Sequence, residues 1–127
     1  MNYKSPSIVI AEDEALTLKM LTYRLQKEGF EVRSASDGKQ ALALLSESTP
    51  DLVLTDLLMP HHTGIEVLTY VKEQLGNDIP VIILSGLGQE ASVAEAMRLG
   101  AAGYLEKPVN PNDLIRTIRK IVQEVLS

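Results

Sequence analysis

Asp56, Glu12, Asp13, Ser85 and Lys107 are the side chains of this 127-residue chain best suited to chemistry, because each follows or closes a short apolar run. The runs are Ile8 to Ala11 into Glu12-Asp13, Leu52 to Thr55 into Asp56, Val81 to Leu84 into Ser85, and Ala102 to Leu105 into Glu106-Lys107. Read as parallel strands, they end along one edge of one sheet, the place where open α/β sheets bind ligands. Three carboxylates in one cleft repel each other, and a hard divalent cation with oxygen ligands holds them ionised; Mg2+ is the natural candidate. A carboxylate on such a cation can also attack phosphorus to give an aspartyl phosphate, the cation neutralising the equatorial oxygens. Lys107 supplies a point positive charge, and the Ser85 hydroxyl a donor on the other side of the incoming phosphoryl group.

The elements that must position these groups alternate along the chain. A further strand is expected from Phe30 to Ser34, after Gly29, which can end the first helix as its left-handed cap. Thr49-Pro50-Asp51 and Asn77-Asp78-Ile79-Pro80 mark strand starts, since proline stops a helix and extends the residue before it. Asn110-Pro111 opens the last helix, with Leu114, Ile118, Ile121, Val122 and Val125 on one stripe. Five strands alternating with five helices give an α/β fold, a doubly wound parallel sheet with helices on both faces. In the flavodoxin-like order 2-1-3-4-5, strands 1 and 3 meet at the switch point and set Asp13 opposite Asp56.

Length and a 45% hydrophobic content fit one domain over residues 1–127. The formal charge of -5, with no basic block, argues against direct nucleic-acid binding. Without cysteine there is no disulfide framework and no zinc-thiolate site. The polar start Met1 to Pro6 leads into a run too short for a signal peptide or membrane span, and the expected location is cytoplasmic.

Taken together, Glu12-Asp13, Asp56 with Met59-Pro60 and Gly64, Ser85, Tyr104 and Lys107-Pro108 make the chain resemble the receiver domain of bacterial two-component response regulators. The match runs from about Ser7 to Leu126. The resemblance implies that Asp56 accepts a phosphoryl group from a phosphohistidine on a sensor kinase or phosphotransfer protein. It further implies Mg2+ held directly by Asp13 and Asp56, by Glu12 directly or through water, and by the backbone carbonyl of Leu58, with Lys107 paired with a phosphoryl oxygen before a cis bond to Pro108. Ser85 then swings toward the phosphate and Tyr104 turns inward, a two-state switch biased by new charge. A downstream target or an attached output domain is implied through helix 4, strand 5 and helix 5, near Val93, Met97 and Tyr104. The expected assembly is a monomer or a weak phosphorylation-dependent dimer.

Other readings of the same residues are weaker. Asp37-Gly38 is expected as a turn or helix cap, and His61-His62 as solvated loop, since adjacent histidines on an open loop rarely converge on one ion. Gly86-Leu87-Gly88-Gln89-Glu90-Ala91 matches a dinucleotide turn, with Glu106 about twenty residues on. That reading leaves only one further strand for a second nucleotide half and gives the acids and Lys107 no role. A haloacid-dehalogenase-like phosphatase needs a second aspartate where Leu58 stands. A phosphate-independent binding module has no use for the complete set of acids, hydroxyl and lysine.

Three departures and surfaces remain. Gly86 stands where receivers usually carry alanine, and the backbone N–H groups of Leu57 and Gly86 are candidates to hold phosphoryl oxygens. By the same resemblance, Leu58 and Leu87 stand at positions that flank the path of attacking water in receivers; both are apolar here, which implies slow loss of phosphate. On the first helix, Leu16, Leu18, Met20, Leu21 and Leu25 spread too widely for one buried stripe. Ala15, Leu18 and Thr22 form a candidate kinase-docking face; the alternative puts Leu18 in the core and exposes Leu16 or Met20.

Overall fold

A computed structural model describes residues 5–126, with side-chain environments through residue 123. The elements in chain order are β1 (Ser7–Ala11), α1 (Ala15–Lys27), β2 (Glu31–Ala35), α2 (Gly38–Glu47), β3 (Leu52–Asp56) and α3 (Gly64–Tyr70). A π-helical turn (Val71–Leu75) extends α3, and β4 (Val81–Ser85), α4 (Glu90–Arg98), β5 (Gly103–Glu106) and α5 (Pro111–Leu126) complete the chain. All strand pairs are parallel, in the order β2-β1-β3-β4-β5. The fold is therefore the expected flavodoxin-like one.

Its core has two layers because side chains alternate across each strand. Ile8, Ile10, Leu52, Leu54, Ile82 and Leu84 pack with Leu21 and Leu25 of α1 and with Leu114, Ile115 and Ile118 of α5. Val9, Ala11, Val53, Val81 and Ile83 face the other way, onto α2, α3 and α4. β3 and β4 are buried along their whole length, which explains their unbroken apolar reading. Of the expected α5 stripe, Leu114 and Ile118 are fully buried and Ile121 and Val122 partly so. The side chain of Val125, like residues Met1 to Lys4 of the N-terminal tail, falls outside the described part.

Two strands start one residue later than expected, each for a hydrogen-bonding reason. Gly29 adopts φ +98° as the helix-ending residue, and the Phe30 N–H then donates to the Leu25 carbonyl, so the ladder begins at Glu31. The Ala101 N–H similarly donates to Ala96 to finish α4, and β5 begins at Gly103. Asp37 caps α2 by accepting from the Gln40 N–H, and Asn110 caps α5 by accepting from the N–H groups of Asn112 and Asp113. Among the described residues no helix is long and apolar enough to cross a membrane.

Candidate functional site

The register places the acids. Ala11 pairs with Thr55 and Asp56 with Leu84, so β1, β3 and β4 deliver Glu12-Asp13, Asp56 and Ser85 to one edge. Glu12 is fully buried and Asp56 is 1% exposed, while Asp13 stands in solvent. Oxygens of Glu12, Asp13 and Asp56 lie within 4.8 Å of one another, the only such acid or histidine cluster among the described residues. The Asp13 N–H approaches Asp56 Oδ2 at 3.4 Å, and the Glu14 N–H donates to Glu12 Oε2 at 3.1 Å.

Lys107 arrives from the end of β5. Its N–H donates to the Ser85 carbonyl at 2.7 Å, its bond to Pro108 is cis as expected, and its ammonium turns into the acids. Nζ lies 2.7 Å from Asp56 Oδ1 and 3.1 Å from Glu12 Oε1. Those two oxygens are buried and receive no well-directed hydrogen bond, so Lys107 neutralises them by charge while leaving them short of donors. Burial, followed by the neighbouring Glu12 carboxylate, pushes the Asp56 carboxyl up to about 8, against the pull of Lys107. Burial also acts to raise Glu12, but its bonds to Asp56, Glu14 and Lys107 outweigh that and leave it below the usual carboxylate range. For Lys107, burial lowers and the two acids raise, the acids prevailing, so its ammonium stays charged. Burial and the neighbouring Glu12 thus oppose ionisation of Asp56 in the cation-free site. A buried, donor-poor pair of carboxylate oxygens with a third acid in solvent fits a hard cation with oxygen ligands and retained water.

The loop after β3 is fixed by close backbone approach. A Cβ on Gly64 would sit 2.2 Å from the Asp56 carbonyl oxygen, and one on Gly38 would sit 2.3 Å from that of His62. The Gly64 N–H donates to the Leu57 carbonyl at 2.8 Å, and Thr63 with Glu66 forms a capping box that starts α3. His62 pairs with Glu66 at 2.7 Å, outside the acid cluster, so the histidines are a loop feature as expected.

The remaining site residues are distributed unevenly. Ser85 is buried at the end of β4 and Tyr104 is 48% exposed on β5; both line, with Gly86, Met97 and Lys107, a cavity of about 340 Å³. Leu58 is 64% exposed and Leu87 fully so, both without apolar cover. The expectation for Leu57 needs correction: its N–H donates to the Leu84 carbonyl at 3.1 Å, because the β3–β4 ladder runs one residue past Asp56. That donor is already used. On α1, Ala15 is open, but Leu18 packs partly against the core and Thr22 is half-buried against Ser34. The exposed apolar side chains are instead Leu16, Met20 and Tyr23, at i, i+4 and i+7. One contact had no clear sequence signal: the Gly86 N–H donates to Gln89 Oε1 at 2.6 Å.

Residues 8–119 match the response regulator receiver domain family. The chain belongs to that family. The phosphate regulon transcriptional regulatory protein PhoB of Escherichia coli K12 is 33% identical over 119 residues, covering 93% of this receiver domain and 52% of PhoB. A probable transcriptional regulator, ycf27 of Guillardia theta, is 36% identical over 116 residues, covering 91% and 45%. The receiver thus spans about half the length of these curated relatives. Among solved structures, a CheY-like receiver domain protein from Methanospirillum hungatei JF-1 superposes with TM-score 0.89 at 28% identity, covering 95% and 96% of the two chains. A receiver domain from Clostridium thermocellum gives 0.87 at 32% identity, covering 94% and 95%. Receivers are regulatory modules of two-component systems, with Mg2+ and aspartyl phosphate typical of the family, and the Glu12, Asp13 and Asp56 cluster is this chain's acidic pocket.

Proposed function

We propose that residues 1–127 form one receiver domain that works as a phosphorylation-activated switch, with Asp56 accepting the phosphoryl group of a phosphohistidine. The donor is a sensor histidine kinase or a phosphotransfer protein, and the location is the cytoplasm. The observation that carries the reading is a single one. Asp56 is a buried carboxylate at a strand end, 2.7 Å from the Lys107 ammonium and in one cluster with Glu12 and Asp13.

An Asp56 oxygen forms the new O–P bond as the P–N bond of the donor breaks, and the imidazole leaves with the electron pair and takes a proton. Bound Mg2+, held by Glu12, Asp13, Asp56 and the Leu58 carbonyl, supplies charge neutralisation at the phosphoryl oxygens. Lys107 pairs with one of those oxygens, Ser85 donates its hydroxyl to another, and the Gly86 N–H serves a third position. Tyr104 then turns into the cavity it borders with Met97 and Ser85, changing the face formed by α4, β5 and α5. A downstream protein or an attached output domain reads that face. A kinase helix approaches over α1 beside the acids, where Ala15, Leu18 and Thr22 lie.

Intact mass after incubation with acetyl phosphate tests this directly, with Mg2+ or with EDTA, on wild type and Asp56→Asn. One phosphoryl adduct that requires Mg2+ and is absent from the variant is expected. A folded wild type that gains no adduct would instead be a phosphate-independent binding module.

A further inference from the structure

We propose that Gln89 is a built-in placeholder for the phosphoryl group: it occupies the Gly86 N–H in the unphosphorylated state and must yield it on phosphorylation. The inference rests on the reading of Asp56 as phosphoacceptor. The bond from the Gly86 N–H to Gln89 Oε1, at 2.6 Å and part-buried, is the motivating contact. Gly86 directly follows Ser85 and lines the same cavity as Lys107, whose ammonium reaches Asp56 at 2.7 Å. Leu84, two residues before Gly86, is the β4 residue paired with Asp56, so the amide that Gln89 occupies belongs to the same sheet edge as the reacting carboxylate.

Two features separate this contact from ordinary helix capping. The Gln89 side chain makes no cap bond to α4, although it stands at that helix's N-terminus. Leaving aside its chain neighbours, a Cβ added to Gly86 would meet only Gln89, its Oε1 at 3.7 Å and Cδ at 3.9 Å, so the Gln89 amide lies close over Gly86. Gly88, at φ +83°, makes the tight reversal that brings residue 89 back over residue 86.

One N–H cannot give a full bond to two acceptors. A phosphoryl oxygen makes a charge-assisted bond, roughly twice as strong as the neutral amide bond it replaces, so it displaces Gln89. Displacement also cuts a tie between the end of β4 and the start of α4. That helix has one fully buried side chain, Ala96, and Val93 packs only partly against the core, so few apolar contacts restrain it. Gln89 thus acts as a positioning residue that links occupancy of the phosphate site to the freedom of α4.

The test compares wild type, Gln89→Met, Gln89→Ala and Gln89→Glu, with Mg2+ present and folding checked by circular dichroism. Beryllofluoride affinity is read by fluorine NMR, and α4 exchange by amide deuterium uptake. Methionine keeps length and helix preference but removes the acceptor, so affinity should rise about fivefold, the effect of losing one competing neutral hydrogen bond. Alanine should act in the same direction and serves if methionine misfolds. Glutamate keeps an acceptor and adds a repelling charge, so affinity should fall. Unliganded Gln89→Met should also exchange its α4 amides faster, as wild type should with beryllofluoride bound. Equal or weaker beryllofluoride binding in the methionine and alanine variants overturns the placeholder role alone. A wild type that takes neither beryllofluoride nor an acetyl phosphate adduct overturns the phosphoacceptor reading, and the placeholder with it.

Discussion

Replacing Asp56 with asparagine should stabilise the cation-free protein, and increasingly so as pH rises. The carboxyl, 1% exposed and beside Glu12, is pushed up to about 8 from an ordinary 3.8. Between those values the folded state keeps a proton that the unfolded chain has released. The contribution of Asp56 to wild-type stability is therefore greatest below about pH 4, falls as pH rises toward 8, and levels off above. Asparagine does not titrate, so the gap between variant and wild type opens over the same window. Linkage gives a ceiling of roughly 2 kcal/mol at pH 5 and roughly 5 kcal/mol at pH 8. Relaxation and water entry reduce such penalties, so we expect the gap to widen by about 2 kcal/mol between the two pH values. With an unfolding entropy of about 2.1 cal/mol/K per residue, that is roughly 7 °C in Tm. Thermal melts of both proteins in EDTA, from pH 5 to pH 8, measure it. Titrating groups away from Asp56 are common to both chains and cancel in the difference, while Glu12 and Lys107, which Asp56 contacts, move with the substitution and add to it. Added Mg2+ should raise the wild-type Tm and close most of the gap. A pH-independent difference, or a variant less stable at pH 8, would refute the picture of a strained buried carboxylate.

Further predictions come from neighbouring features. Gly64→Ala puts a Cβ 2.2 Å from the Asp56 carbonyl oxygen, against backbone rather than a flexible side chain, and should cost about 2–3 kcal/mol in urea unfolding. A loss under about 0.5 kcal/mol would mean that the loop relaxes freely. Mg2+ must displace the Asp56 proton, so its apparent affinity should climb by up to about tenfold per pH unit from 6 to 8 and then flatten; calorimetry showing a pH-independent affinity removes that competition. Leu58→Asn places a hydrogen-bonding group at the exposed rim and should speed loss of the phosphoryl adduct by roughly tenfold or more, while rapid wild-type loss, unchanged in the variant, defeats the slow-hydrolysis reading. Leu18 packs partly on the core, so Leu18→Glu is read only with folding checked by circular dichroism, and a folded variant should lose phosphotransfer from a kinase; unaltered transfer takes Leu18 off the docking face, and the same test on Leu16→Glu asks whether the exposed stripe does the docking.

The sequence disclosed what depends on runs and termini. β1, β3 and β4 are buried on both faces, so their apolar runs are continuous, and the acids and hydroxyl at their ends were visible without coordinates. Asp37, Asn110 and Gly29 were readable as caps because capping is a local matter of side-chain reach and backbone angle. What stayed hidden depends on neighbours distant in sequence or on side-chain direction. Gly64 is required by the carbonyl of Asp56, and Gly38 by that of His62, and neither approach leaves a mark on composition. The Leu57 N–H looked available for an anion, but the ladder to β4 continues past Asp56 and takes it. Helix α1 carries apolar residues around much of its circumference, and only its seating on β1 and α5 decides that Leu21 and Leu25 go in while Leu16 and Met20 go out.

The site as it stands is a set of temporary partners. On the proposed reading, the buried Asp56 carboxyl resists ionisation until a cation arrives, Lys107 leans on Glu12 and Asp56 until a phosphoryl oxygen arrives, and Gln89 sits on the Gly86 amide. On that reading, each partner has to be displaced, and each displacement subtracts from what Mg2+ or the phosphoryl group gains. A ligand shifts a two-state equilibrium only by the difference in its interactions with the two states. Weak placeholders therefore serve better than strong ones: they satisfy buried polar groups enough to keep the unphosphorylated fold intact, yet concede to a charge-assisted competitor. Strengthening any of them, as Gln89→Glu does, should trap the inactive state; removing one, as Gln89→Met does, should move the population toward the active state before phosphate arrives.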